Sequence, residues 1–161
     1  MEQIIQLNSG AKLSEHFMLG ELTKSSSHPE IYNIPSHEAI ANLKRVCTWL
    51  EELRKRYNEF IHHAPNPAPH IIINSGYRSP QLNRAIGGVP SSNHLTGCAV
   101  DIRVTGMEQL IVYAAILIQY ANETKQDFDE LLIERNDRGA IWLHFAVRPS
   151  GNRRKIRFLL T

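Results

Sequence analysis

The residues best suited to chemistry are concentrated between Asn74 and Val104. Within this stretch six residues separate His94 from Asp101, and Asp101 lies in a run in which apolar residues occupy every second position. Such alternation is typical of a half-buried β-strand, whose apolar side faces the core. Asp101 is therefore expected to project from the opposite side, toward water or a functional site. The apolar side of this run consists of Cys98, Val100, Ile102 and Val104.

A second alternating run, near the end of the chain, carries His144. If the two strands share a sheet, His144 and Asp101 lie on one face, and the loop before the first strand can fold His94 over them. Two imidazoles and one carboxylate suit zinc, which accepts N and O ligands tetrahedrally, and a vacant fourth position would admit water. The pattern predicts a reactive rather than a structural zinc, because neither Cys47 nor Cys98 has a partner at zinc-ligand spacing.

Each of the three residues also has a simpler explanation. His94 could cap a turn, and His144 could be an ordinary hydrogen-bonded histidine of the sheet. Asp101 could form an ion pair with Arg78 or Arg103. One Asp and two His are a weak pattern by spacing alone, so both interpretations stay open on these residues.

A longer motif surrounds the three residues. The segment from Ser92 to Asp101 fits the pattern S-x-H-x-x-G-x-A-x-D, and the sequence S-G-Y-R-S precedes it at 75–79. Gly87-Gly88 lies between these two segments, and Trp142-Leu143-His144 follows them. With these motifs most of the chain, about 13–154, resembles the zinc D-alanyl-D-alanine carboxypeptidases and L-alanyl-D-glutamate endopeptidases, a family that shares its fold with the hedgehog signalling domain.

The resemblance implies a role for each matching residue. His94, Asp101 and His144 would bind Zn²⁺, and Arg78 of the S-G-Y-R-S segment would contact the substrate or the developing oxyanion. From their positions next to His94, Ser92 and Asn93 are expected to help orient its ring by hydrogen bonding. The implied activity is hydrolysis of peptidoglycan stem peptides by a bacterial enzyme or a phage endolysin. The alternative is a catalytically silent zinc module that binds wall peptide or a protein partner.

The chain departs from the family pattern at Ile141, where many relatives have an acidic general base three positions before the last His. Turn-forming residues at 136–140 predict a hairpin, in which Arg135 would face Ile141 and Glu134 would face Trp142. Glu134 would then lie diagonal to His144 on the zinc side, so we predict Glu134 as the catalytic base. Asp137 in the hairpin loop is the alternative.

Composition and charge limit the remaining possibilities. The 161 residues are 42% hydrophobic, which fits a single domain over 1–161 without disulfides, and the resemblance implies that this domain is zinc peptidase-like. The net charge of +2 gives no reason to expect nucleic acid as a partner. No export signal or membrane span is recognised, so we expect a protein that is cytoplasmic at synthesis and acts on the cell wall if released. We also expect a monomer.

The periodicity of the remaining segments predicts an α+β domain, with helices on one face of an antiparallel or mixed sheet and a zinc cleft on the other. A helix should begin after Ser36 and end near Tyr57 or Phe60, and another should cover about 107–122. A short helix is expected at 81–86 and a buried strand at 71–73. The basic tail at 152–157 is expected to be solvated, with contact to anionic cell-wall polymer as a further option.

Overall fold

The computed structural model describes residues 9–61 and 70–160. These residues form four α-helices, one 3₁₀ helix and a mixed five-stranded sheet. The helices are α1 (Leu19–Thr23), α2 (His37–Phe60), α3 (Pro80–Ala85) and α4 (Met107–Thr124), and the 3₁₀ helix covers Asn93–Thr96. The strands are β1 (Ile73–Ser75), β2 (Ala99–Arg103), β3 (Glu130–Arg135), β4 (Ile141–Ala146) and β5 (Lys155–Leu160).

The sheet has the order β1-β2-β4-β3-β5. All neighbouring strands are antiparallel except β3 and β5, which are parallel, so the mixed form of the predicted sheet is correct. The β3–β4 hairpin has the predicted register, with Arg135 opposite Ile141, Glu134 opposite Trp142 and Leu132 opposite His144. This register decides which side chains of β3 share a face with His144.

The core lies between one face of the sheet and the helices α2 and α4. Their apolar stripes follow the helical period, and the Ser36 hydroxyl begins α2 by accepting a hydrogen bond from the Ala39 backbone N–H. Trp49 is buried at the centre, with ring centroids 4.9 Å from Tyr120 and 5.3 Å from Phe145. In the part of the chain that the structure describes, no helix has the length and apolar character needed to span a membrane.

The sheet differs from the prediction at both of its edges. The strand predicted at 71–73 is instead β1, Ile73–Ser75, although the Arg103 backbone N–H of β2 also donates to the Ile72 carbonyl at 2.9 Å. The basic tail at 152–157 has no buried residue, as predicted, but its last residues also belong to β5, which pairs along the whole of β3. As an edge strand, β5 leaves Ile156, Phe158 and other side chains exposed, so it lacks the alternating burial by which a strand is recognised in a sequence.

Both cysteines are buried and neither forms a disulfide. Cys47 is on the buried face of α2, as predicted for a small apolar residue. Burial raises the pKa of the Cys47 thiol to about 12. A thiol with this pKa stays protonated at neutral pH and is unreactive.

Candidate metal centre

A cavity of about 500 Å³ opens on the face of the sheet opposite the two long helices. Its floor is formed by side chains of β2, β3 and β4 that point away from the core, and its walls come from β5 and from the loops around α3. The lining includes all six residues with a role predicted from the sequence, namely Arg78, Ser92, His94, Asp101, Glu134 and His144. The predicted site residues therefore meet in one place.

His94, Asp101 and His144 converge at the base of this cavity. Each offers one ligand atom, and these atoms all lie within 4.8 Å of one another. The register of the sheet positions two of these three residues, because Asp101 and His144 face each other directly across β2 and β4. His94 comes from the 3₁₀ helix that precedes β2 and folds over them.

The ring of His94 is fixed by a backbone carbonyl. Nδ1 donates to the Gly76 carbonyl at 2.7 Å, and since a carbonyl only accepts, the proton of the neutral ring is on Nδ1. Nε2 then presents its lone pair to Asp101 Oδ1 at 3.4 Å. The backbone of Gly76 packs directly on α1, which is possible because glycine has no side chain. A Cβ at this position would lie 2.3 Å from the Leu22 carbonyl oxygen.

The protonation of the cluster leaves room for a cation. Burial lowers the pKa of His94, so its ring is neutral. Two acceptors, His94 Nε2 and Asp101 Oδ1, therefore face each other without a proton between them. Burial opposes ionisation of Asp101, but the hydrogen bond from the protonated His144 outweighs that cost and holds the pKa of this carboxyl well below its usual range. A carboxylate and an imidazole lone pair directed at one point match the donor set of zinc.

His144 is the residue that balances this charge. Burial disfavours its charged form, but hydrogen bonds to Asp101 and Glu130 outweigh that cost and raise the pKa of His144 to about 10. Its Nδ1 donates to Asp101 Oδ1 at 3.0 Å. A divalent ion held between these groups would replace the Nδ1 proton, so the residues present fit a zinc ion.

Ser92 acts on the backbone of His94. Its hydroxyl accepts a hydrogen bond from the His94 N–H at 3.1 Å and caps the 3₁₀ helix, whereas the ring is oriented by the Gly76 carbonyl. Gly97 ends the same helix with a left-handed backbone, φ 76°. A Cβ on Gly97 would lie 2.5 Å from the carbonyl oxygen of Ala39, so the glycine lets this loop pack directly on α2.

Arg78 lies beside the metal cluster and contacts it. One terminal nitrogen donates to Asp101 Oδ2 at 3.2 Å, and Nε donates to the Ser75 hydroxyl at 3.1 Å. The backbone N–H of Arg78 donates to the His94 carbonyl at 3.0 Å, which ties the S-G-Y-R-S segment to the 3₁₀ helix. The ion pair with Asp101 that sequence analysis considered is present, and the guanidinium still lines the open cavity.

Glu134 and its alternative are separated by the structure. Glu134 lines the cavity, and burial together with the charge of Asp101 raises the pKa of its carboxyl. Asp137 is exposed in the hairpin turn and does not line the cavity. Ile141 packs against the core on the other face of β4, so an acidic side chain at this position would point away from His144.

Glu130 and the network behind it were not predicted. Glu130 Oε1 lies 3.0 Å from His144 Nε2 and 2.8 Å from the side-chain nitrogen of Asn93. The signal was present in the hairpin register: with Leu132 opposite His144, Glu130 and Glu134 occupy the two diagonal positions on the same face. The sequence prediction used only Glu134, on the diagonal toward the hairpin turn.

Comparison with known proteins agrees with this geometry. The model of the peptidase M15 family matches residues 15–130, which is most of the chain. The matched segment contains His94 and Asp101, whereas Glu134 and His144 lie beyond it. Comparison with curated proteins gives no match.

Proposed function

The chain belongs to the peptidase M15 family, and we propose that it is a zinc metallopeptidase that hydrolyses peptide bonds of peptidoglycan stem peptides. The observation that carries the proposal is the convergence of His94, Asp101 and His144 on one point inside an open cavity. The family match covers only the first two of these residues, so the position of His144 supports the proposal independently of the match. When bound, zinc would supply Lewis-acid activation of the peptide carbonyl and of a water molecule.

Glu134 is the proposed general base. It takes a proton from the attacking water and later returns it to the leaving amine. Its raised pKa suits this exchange, because a carboxylate of ordinary pKa is a weaker base at neutral pH. Its position on β3, diagonal to His144, brings it into the same cavity as the three ligands.

Arg78 is the proposed electrophilic helper. A guanidinium has five N–H donors, and the described hydrogen bonds of Arg78 use one on each of its three nitrogens. The remaining donor on each terminal nitrogen can hold an oxyanion or a substrate carboxylate. The contact with Asp101 fixes the planar group at the edge of the cavity before substrate arrives.

The proposed substrate is a stem peptide that contains D-amino acids. Cleavage can follow the D-alanyl-D-alanine carboxypeptidase type or the endopeptidase type, and the proposal includes both. A second candidate is a catalytically silent zinc module that binds wall peptide or a protein. The sequence feature that favours this second candidate is Ile141, which replaces the acidic residue of many relatives, although position 141 faces the core here and Glu134 lines the cavity instead.

Mass spectrometry of muropeptides incubated with zinc-loaded protein tests the proposal and identifies the bond. The peptidase should release new amino groups, and Glu134→Gln should reduce the rate by about 100-fold or more, as expected for loss of a general base. Asp137→Asn is the matched control and should retain full activity. If the wild-type protein binds zinc and wall peptide but releases no amino groups, the silent module is correct instead.

A further inference from the structure

The two ring nitrogens of His144 both lie against carboxylates. Nδ1 is 3.0 Å from Asp101 on the side of the metal centre, and Nε2 is 3.0 Å from Glu130 on the opposite side. A neutral imidazole carries its proton on one nitrogen, and only the other nitrogen can bind a metal ion. Because an ionised carboxylate accepts but does not donate, Glu130 favours the ring with its proton on Nε2.

On the premise of the zinc site proposed above, we propose that Glu130 is a positioning residue that keeps the proton of His144 on Nε2 and directs the Nδ1 lone pair toward the metal. Metal-binding histidines commonly donate their second N–H to a carboxylate, which fixes both the ring orientation and the tautomer. Among the three candidate ligands, the described hydrogen bonds of Glu130 go to His144, so its effect on the metal passes through His144.

Glu130 is itself held in place by Asn93. The Asn93 side-chain nitrogen donates to Glu130 Oε1 and to Asp129 Oδ2, both at 2.8 Å, while its oxygen accepts from Arg148 Nε at 2.9 Å. This is the only orientation of the amide that satisfies all three contacts, since the carboxylates need a donor and the guanidinium needs an acceptor. Asn93 is buried, which limits competition from water.

Asp129 anchors the far end of this network. It is fully buried, and Arg153 donates to both of its oxygens, from Nε at 3.0 Å and from a terminal nitrogen at 2.8 Å. Arg148 lies 3.2 Å from Oδ2. A bidentate arginine on a buried carboxylate gives a rigid support, so Glu130, the next residue, begins β3 from a fixed point.

The same network connects the two metal-binding histidines. Asn93 immediately precedes His94 in the 3₁₀ helix, and it holds the carboxylate that contacts His144. The separation of the two histidines therefore depends on a side-chain link in addition to the sheet. A residue that only filled space would not need this chain of donors and acceptors.

The tautomer of His144 in the zinc-loaded wild-type protein is the direct test. Long-range ¹H–¹⁵N NMR distinguishes protonated from metal-bound ring nitrogens and should find His144 protonated at Nε2 and metal-bound at Nδ1. A proton on Nδ1, or metal bound through Nε2, overturns the proposal. This measurement needs no variant, so it holds even if a substitution at Glu130 prevents folding.

Two substitutions then separate hydrogen bonding from charge. Glu130→Ala removes the acceptor and should raise the zinc Kd by about 10- to 100-fold and alter the visible spectrum of the Co²⁺ form. Glu130→Gln keeps an oxygen that can accept, and it should stay within about 3-fold of wild type by the same reasoning. Glu59→Ala, an exposed position on α2, is the control and should change neither property.

Equal losses in Glu130→Gln and Glu130→Ala, or wild-type zinc affinity in Glu130→Ala, would show that Glu130 has only a structural role. These outcomes differ from failure of the proposed function. If the wild-type protein takes up no zinc, the metallopeptidase proposal itself is wrong. If it takes up zinc and hydrolyses peptide while His144 carries its proton on Nδ1, only the role of Glu130 is refuted.

Discussion

Asp101 and His144 are a directly opposed pair on β2 and β4, with Nδ1 of the imidazole 3.0 Å from Oδ1 of the carboxylate. Two of the three candidate ligands are therefore placed by strand register rather than by a loop. A shift of either strand by one residue would turn one of the two side chains into the core. The apolar residues that alternate with them thus position the metal site as well as forming the core.

Zinc uptake should release a proton from His144. Without metal the pKa of His144 is about 10, so the ring is protonated at neutral pH, and zinc requires the Nδ1 lone pair. We expect about one proton released per zinc and an affinity that rises roughly tenfold per pH unit below pH 10. Calorimetry in two buffers of different ionisation enthalpy measures the release. A binding heat that is independent of the buffer would contradict it.

Removal of any one ligand should abolish tight zinc binding. His94→Ala, Asp101→Ala and His144→Ala should each weaken zinc affinity by more than about 100-fold, beyond the cost of losing a residue that only orients a ligand. Competition with a chromophoric chelator measures the change. His70→Ala is the control, because His70 is exposed and does not line the cavity. A ligand variant with wild-type affinity would remove that residue from the site.

Gly76→Ala should damage both the fold and the metal site. A Cβ at Gly76 would lie 2.3 Å from the Leu22 carbonyl oxygen, so the backbone must move, at a cost of about 1–3 kcal/mol. That movement displaces the carbonyl that holds the His94 ring, and zinc affinity should fall by about tenfold. Gly106→Ala has open space and an extended φ of 175°, so it should perturb zinc affinity far less. Equal effects of the two substitutions would argue against the close approach as the cause.

Local patterns were sufficient to predict much of the site. The turn residues at 136–140 define the hairpin, and the hairpin length then determines that Glu134 faces Trp142. The alternation around Asp101 and His144 predicted the correct faces, because apolar side chains enter the core at every second position and the two polar side chains line the cavity on the other face. The faces of Asp101 and His144 could therefore be predicted from their strands alone, whereas their role as ligands was implied by the family resemblance.

Long-range contacts between polar groups could not be predicted in the same way. The hydrogen bond of His94 to the Gly76 carbonyl joins segments with no shared periodicity, and nothing in a sequence specifies which carbonyl an imidazole will reach. The network from Glu130 through Asn93 to Asp129 depends on β5 and the turn before it, where Arg153 lies. Because β5 is an exposed edge strand, its sequence pattern resembles that of a solvated tail.

Asp129→Asn should destabilise the fold and flatten its pH dependence. Burial disfavours ionisation of Asp129, but its hydrogen bonds to Arg153 and Asn93 prevail and lower its pKa from 3.8 to about 2. A carboxyl whose pKa is lower in the folded than in the unfolded protein stabilises the fold at pH values above its unfolded pKa. This contribution, about 2 kcal/mol, is lost as the pH falls from about 4 toward 2. Urea unfolding of the zinc-free protein across this range should show a steeper loss in wild type than in Asp129→Asn. Asp137→Asn, in the exposed turn, should keep the wild-type slope. A slope in Asp129→Asn as steep as that of wild type would mean that ionisation of Asp129 does not control the loss of stability.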